Sequence, residues 1–354
     1  MRRISLVLIL VLLPIAVFAA PPASVPFVLR PGAVIDAASG TAYAAKPNGT
    51  IDAVDLAGGR TLWTSTDAAV PLGADDLVVA QVEEKPQPTQ RFLVAVLDAA
   101  SGRKLIDATI TLPAGVQALV ADDKDKSFRA TAERDGATFL ISWFYQEMEE
   151  RGIPPKFGEQ TIHLFAGSAR LSTQTGKIIA ADGGPVTGVP GRWQRYATPP
   201  APPWQSGGVS ARPVGGRGGP LTLKKNDAAN GAALPDQQLS AQALFAAPSF
   251  DQRHVLASER VGQGGPDDPE YRWVIFAIDT GARVTELRRD VSAAPFFVFG
   301  DSVVFESRAH GYLRGSVSVN EPLQIQAVRL STGVPKWSVD LRDLSYQGTR
   351  PPAR

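Results

Sequence analysis

The side chains that could do chemistry are few and scattered. His163, His254 and His310 are the only histidines in 354 residues, and they lie far apart. A three-histidine metal site therefore has no local support, and no metal is expected. His163 sits in a mostly apolar run and reads as a hydrogen-bonded structural residue; His254 opens a strand; His310 falls in a long connection and is the one to test. Glu147-Met148-Glu149-Glu150-Arg151, with Asp122, Asp123 and Asp125, forms acidic runs that could serve carboxylate catalysis or calcium. These runs fall in expected loops, which favours a solvated face. Cysteine is absent, which removes disulfides, thiolate metal sites, thiol nucleophiles and a lipid-bearing cysteine. There is no phosphate-cradling glycine loop, serine-nucleophile elbow or zinc helix motif. Thirty-six basic residues against 35 acidic ones leave no net field to recruit nucleic acid or an anionic membrane.

What must position such groups is a recurring phrase: an apolar strand, a polar turn ending in glycine, and a second strand. It runs Ala53-Val54-Asp55 to Gly59 and Trp63, then Ala95-Val96-Leu97-Asp98 to Gly102 and Leu105, and again Ala327-Val328 to Gly333 and Trp337. Looser copies span Ala169 to Ile179 and Ala277 to Val284. A degenerate one runs Asp227 to Leu234, after Lys224 and Lys225. Glycine suits the closing position of such a turn because it has no Cβ to clash at φ > 0. The turn glycines fall at 59, 102, 176, 231, 281 and 333, and most intervals are those of propeller blades. The longest interval holds strand-like runs at 127–132, 138–145 and 161–165, which make one blade with a long internal loop rather than two. The expected fold is thus all-β, a β-propeller of four-stranded blades, about six in number with five or seven open. Asn48-Gly49-Thr50 fits a glycosylation acceptor, but between two strands it reads as a hairpin turn.

Arg2-Arg3, an apolar run from Ile4 to Phe18 and the small residues Val17 and Ala19 read as a signal peptide over 1–19. Retention as an anchor is the alternative. Residues 20–354 are then one propeller domain in the periplasm or medium, with no later stretch apolar enough to span a membrane. From Gly183 to Pro220 glycine and proline dominate, with Trp193, Tyr196 and Trp204 as the large apolar residues. This composition reads as a mobile insertion at about 183–220.

The units resemble the quinoprotein (PQQ-like) propeller repeat, best over Ala33-Val34-Ile35-Asp36, Gly40-Thr41-Ala42-Tyr43-Ala44, Asn48-Gly49-Thr50, Ala53-Val54-Asp55, Gly59 and Leu62-Trp63. Trp63 and Trp337 occupy the family's tryptophan position, which docks one blade on the next; Leu105, Ile179, Leu234 and Val284 stand near it elsewhere. Enzymes of the family hold pyrroloquinoline quinone and calcium in the central funnel. No matching ligand set is found, so no cofactor is expected. The resemblance points to the non-enzymatic branch, which includes a lipoprotein of outer-membrane protein assembly, and what carries over is the scaffold.

In a four-stranded meander the connections between strands two and three emerge on one rim. Here these are long: Lys85 to Gln90, Glu147 to Gln160, Val261 to Glu270 and Arg308 to Glu321. Loops on a rigid scaffold commonly carry binding residues. The rim set is Tyr145, Glu149, Arg151, Lys156, Phe157, Tyr271, Arg272, His310, Tyr312 and Arg314, read as recognising a protein or polysaccharide partner in the cell envelope; solvated decoration is the bland alternative. The competing function is an envelope hydrolase or lyase acting on polysaccharide through carboxylates in the central channel.

Overall fold

The computed structural model describes residues 26–345 apart from 85–89, 124, 151–159, 191–192, 194–203, 207–208, 214–220, 226–242, 252, 263–269, 279, 290, 308–309 and 315–316. The signal-peptide segment and the degenerate turn at 227–234 lie outside the described residues. Every ladder among the described strands is antiparallel.

The first sheet holds β1 (Phe27–Arg30), β2 (Ala33–Asp36), β3 (Thr41–Ala45), β4 (Ile51–Asp55) and β5 (Thr61–Ser65); the second holds β6 (Val70–Ala74), β7 (Leu77–Gln81), β8 (Arg91–Asp98) and β9 (Lys104–Thr111). The third is β10 (Lys126–Asp135), β11 (Thr138–Glu150), β12 (Gln160–Ser172) and β13 (Ile178–Pro185). A three-stranded fourth sheet follows, from β14 (Trp204–Ser206), β15 (Val209–Pro213) and β16 (Leu221–Lys225). Two of its strands, and the end of β13, fall within the stretch whose composition marks an insertion. The fifth sheet is β17 (Ala243–Pro248), β18 (His254–Arg260), β19 (Tyr271–Ala277) and β20 (Arg283–Arg289). The sixth comprises β21 (Phe296–Phe299), β22 (Ser302–Ser307), β25 (Gln324–Arg329) and β26 (Pro335–Asp340). Between β22 and β25 the chain forms a separate two-stranded ribbon, β23 (His310–Arg314) with β24 (Val317–Glu321).

Strand alternation explains how these sheets stack, since successive side chains leave a strand on opposite faces. On β8, Phe92, Val94 and Val96 enter a core shared with the third sheet, while Ala95 and Leu97 enter one shared with the first. On β22, Val304 joins the core between sixth and first sheets, and Val303 and Phe305 join the core between fifth and sixth. Both faces of these strands are buried, so their sequences read as continuous apolar runs. The order sixth, first, second, third is thus a face-to-face stack, and the fifth lies on the sixth.

The recurring turn is one structure repeated. Gly59, Gly102, Gly176, Gly281 and Gly333 all have φ between 68° and 72°. In each, the glycine N–H donates to the carbonyl four residues back, as Gly59 to Asp55 (2.7 Å) and Gly333 to Arg329 (2.7 Å). Each described joint then places a side chain of one sheet over the glycine of the next. Trp63 lies over Gly102, Ile106 over Gly176, Leu287 over Gly333, and Trp337 of the last sheet over Gly59 of the first. The two indole N–H groups donate to carbonyls of the turns they cover, Trp63 to Ala99 (2.9 Å) and Trp337 to Leu56 (3.1 Å).

Two sequence expectations need correction here. The docking residue of the second sheet is Ile106 rather than Leu105; Leu105 and Ile179 are exposed, as Leu62 is beside Trp63. Both are apolar, but alternation puts them on the outward face. The connection expected over Glu147 to Gln160 is also shorter than its polar composition suggests. β11 and β12 run on as a paired ribbon to Glu150↔Gln160.

Candidate functional site: the rim of long connections

Among the described residues, two of the connections joining second to third strands touch. Gly49, in the first sheet's connection, stands against Glu83 in the second sheet's. The third sheet's ribbon is tied to the segment entering that sheet, the Met148 N–H donating to the Asp125 carbonyl (2.8 Å). Arg30, at the end of β1, pairs with Glu306 near the end of β22 (2.8 Å).

Beyond the ends of β10 and β13, the β11–β12 ribbon stands with both edges outside the sheet ladder. Its register puts Glu147, Glu149, Thr161 and His163 on one face and Met148, Ile162 and Leu164 on the other. Glu149 is exposed and lies 3.3 Å from His163 Nε2. His163 is therefore hydrogen-bonded, but on the surface rather than in the core. Tyr145 is not a rim side chain at all: it is fully buried, tilted against Phe165, with its hydroxyl 3.3 Å from Glu147. Burial, with the Glu147 charge beside it, holds that phenol protonated well above the ordinary tyrosine range. Tyr145 continues the inward-facing alternation of Phe139, Ile141 and Trp143, all buried in the same core, and this overrides the rim placement.

On the fifth sheet, Arg272 sits directly across from Glu259. Its Nε donates to Glu259 Oε2 (2.8 Å), a terminal nitrogen bonds the same oxygen, and Glu286 lies 3.9 Å away. Hydrogen bonding to Glu259 raises the guanidinium's affinity for its proton further. Glu259 is only 1% exposed, so removing Arg272 would leave a buried carboxylate uncompensated. This pair went unnoticed in the sequence, yet aligning 254–260 antiparallel to 271–277 faces the two charges. Tyr271 beside it is half-buried, and burial followed by Glu270 pushes its phenol up.

His310, Tyr312 and Arg314 stand at alternate register positions of β23, paired with Glu321, Val319 and Val317 of β24. Arg151, Lys156 and Phe157 lie outside the described residues.

Among the described residues no group of three or more His, Cys, Asp or Glu stands close enough to hold a metal. In the acidic run before β10, Asp122 holds Arg129 with both carboxylate oxygens. A general acid and base must face a common space. Asp122, Glu259 and Glu306 each pair with an arginine. No described helix is long and apolar enough to cross a membrane.

No family model matches the chain and no curated protein matches it. Solved structures to which it is similar include BamB from Moraxella catarrhalis, at 14% identity and a TM-score of 0.24 over 88% of this chain and 75% of that one. A eukaryotic initiation factor aligns at 8% identity and a TM-score of 0.32 over 87% and 86%. A europium-containing methanol dehydrogenase aligns at 14% and 0.20 over 85% and 67%. At these TM-scores the superpositions carry no argument, and the fold stands on the sheets and joints described above.

Proposed function

We propose that this chain is an exported, non-catalytic β-propeller scaffold of the quinoprotein-like repeat type. In this reading its six sheets are six blades, and its long-connection rim binds a protein partner in the cell envelope. The observation that carries the proposal is Trp337 of the last sheet over Gly59 of the first, the same joint that links first to second. A chain of sheets whose end docks on its beginning by the repeated contact is a ring. The signal-like residues 1–19 support export, and the projecting β11–β12 and β23–β24 ribbons support recognition at the rim.

The test is site-specific photo-crosslinking in the native envelope. Probes at Glu149, Tyr271 and Tyr312 on the rim are compared with probes at Ala57, Ala100 and Thr332 in the tight turns at the opposite ends of the strands. The scaffold reading expects discrete protein adducts from the rim set and none from the turn set. Equal labelling from both sets, or turnover of a polysaccharide by the purified protein, would defeat it.

A further inference from the structure

The sixth sheet is complete with its own four strands, β21, β22, β25 and β26. Among the described residues no strand of the first sheet pairs with it, so the described joint between last and first sheets has no shared ladder. Besides Trp337 and the Arg30–Glu306 pair, the segment that leaves β26 crosses that joint. Over residues 341–345 it touches four sheets in succession. The Leu341 N–H donates to the Leu323 carbonyl of the sixth sheet's connection (2.8 Å), and the Arg342 N–H donates to Ala45 at the end of β3 (2.8 Å). The Arg342 guanidinium forks onto Glu83 of the second sheet's connection at 2.8 and 3.2 Å. The Leu344 carbonyl accepts the Asp122 N–H at the entry to the third sheet (2.8 Å).

Its two leucines are driven into different cores. Leu341 is buried between sixth and first sheets, and Leu344 is buried with Val70, Leu72, Leu112 and Leu119 between second and third. Leu344 Cδ1 would lie only 3.1 Å from a methyl on Gly32, so the β1–β2 turn is shaped to let it pass. The Arg342–Glu83 pair is part exposed, and such pairs add little stability but select geometry.

We infer that Leu341–Ser345 is a clasp: a strap across the long-connection rim that shuts the ring and that releases before any sheet melts. This goes beyond the scaffold reading and does not depend on a partner. The physical reason for early release is an imbalance. The clasp is held by three main-chain hydrogen bonds, two leucines and one ion pair, whereas strands such as β8 and β22 are laddered on both edges and buried on both faces. Native proteins open first where buried contacts are fewest.

Hydrogen exchange by mass spectrometry on the full chain tests the clasp. Leu344→Ala and Arg342→Glu are expected to speed exchange at least about tenfold at the amides of Arg342, Asp122 and Gly59, while β18 and β19 of the fifth sheet keep their wild-type rates. Combining Arg342→Glu with Glu83→Arg should restore slow exchange by reversing the pair. This reversal keeps the inference falsifiable if Leu344→Ala fails to fold. Exchange that rises equally in the fifth sheet would mean that the segment supports only overall stability. That result would overturn the clasp, as would unchanged rates at Arg342 and Asp122 or no recovery in the reversed pair. Loss of rim crosslinking with clasp behaviour intact would count against the scaffold reading alone.

Discussion

The joints on either side of the first sheet differ from the joints farther round in one residue, not in backbone. At the first-to-second and sixth-to-first joints an indole covers the turn glycine and hydrogen-bonds a turn carbonyl. At the second-to-third and fifth-to-sixth joints Ile106 and Leu287 cover glycines of the same φ, with no such bond available to them. The repeated turn is thus a socket that accepts different plugs. Aromatic plugs flank the first sheet, where the sixth sheet meets it, and a large apolar body with a polar tip adds direction there as well as area.

The strongest way to sharpen this contrast is to fill the sockets. A methyl on Gly59 would stand 2.4 Å from Trp337, whereas on Gly176 the nearest atom is Ile106 Cγ2 at 3.2 Å. Gly59→Ala is expected to cost about 3–5 kcal/mol, adding overpacking to a left-handed backbone, and Gly176→Ala only about 1–2 kcal/mol from the backbone. Urea denaturation of the two variants measures the difference, and equal losses would break the comparison. Emptying the plugs comes next. Trp337→Ala should lose about 3 kcal/mol and Ile106→Ala about 1–2 kcal/mol, read in the same titrations. Trp63→Phe isolates the polar tip, because the ring stays while the bond to Ala99 goes. About 1 kcal/mol is expected, and a double-mutant cycle with a backbone-ester substitution at the acceptor checks it.

The smallest effect concerns pH at the turns themselves. Hydrogen bonds from Ser101 and the Ala100 amide hold the Asp98 carboxyl below the ordinary carboxylate range. A folded pKa depressed in this way means that its contribution is present above the unfolded value and fades as pH falls through the folded one. The equivalent turn of the third sheet uses the Ser172 hydroxyl, which accepts the Thr175 N–H (3.2 Å) and does not titrate. Acidification should therefore shift the Gly102 amide resonance and leave that of Gly176 in place.

The hairpins were legible because their signal is local: small polar residues before a glycine, between apolar runs, predict the turn wherever it is described. The long second interval also resolves into the single sheet β10–β13. Face assignment was harder. Leu105 and Ile106 are adjacent apolar residues, and only the partner sheet decides which is plug and which is surface. Glu147 to Glu150 read as loop from their charge, yet ladder pairing with 160–163 carries the strand through them. Ribbon β23–β24 is hidden for the same reason. Of the rim residues, Tyr145 belongs to the core by its alternation. The Glu259–Arg272 pair required knowing which strands are neighbours, and the clasp required knowing that residues 300 positions apart in sequence meet.

The stack of the sixth sheet on the first also orders events in time. Leu29, Ala33, Ile35, Ala42, Ala44 and Val54 of the first sheet find their apolar cover in Phe297, Val304, Ile325, Ala327 and Leu341. A polypeptide made amino end first presents that face uncovered until residues 297–341 arrive. Lesions near residue 341 would then surface as trouble at residue 29: greasy, sticky early folding and clumping, rather than a frayed tail.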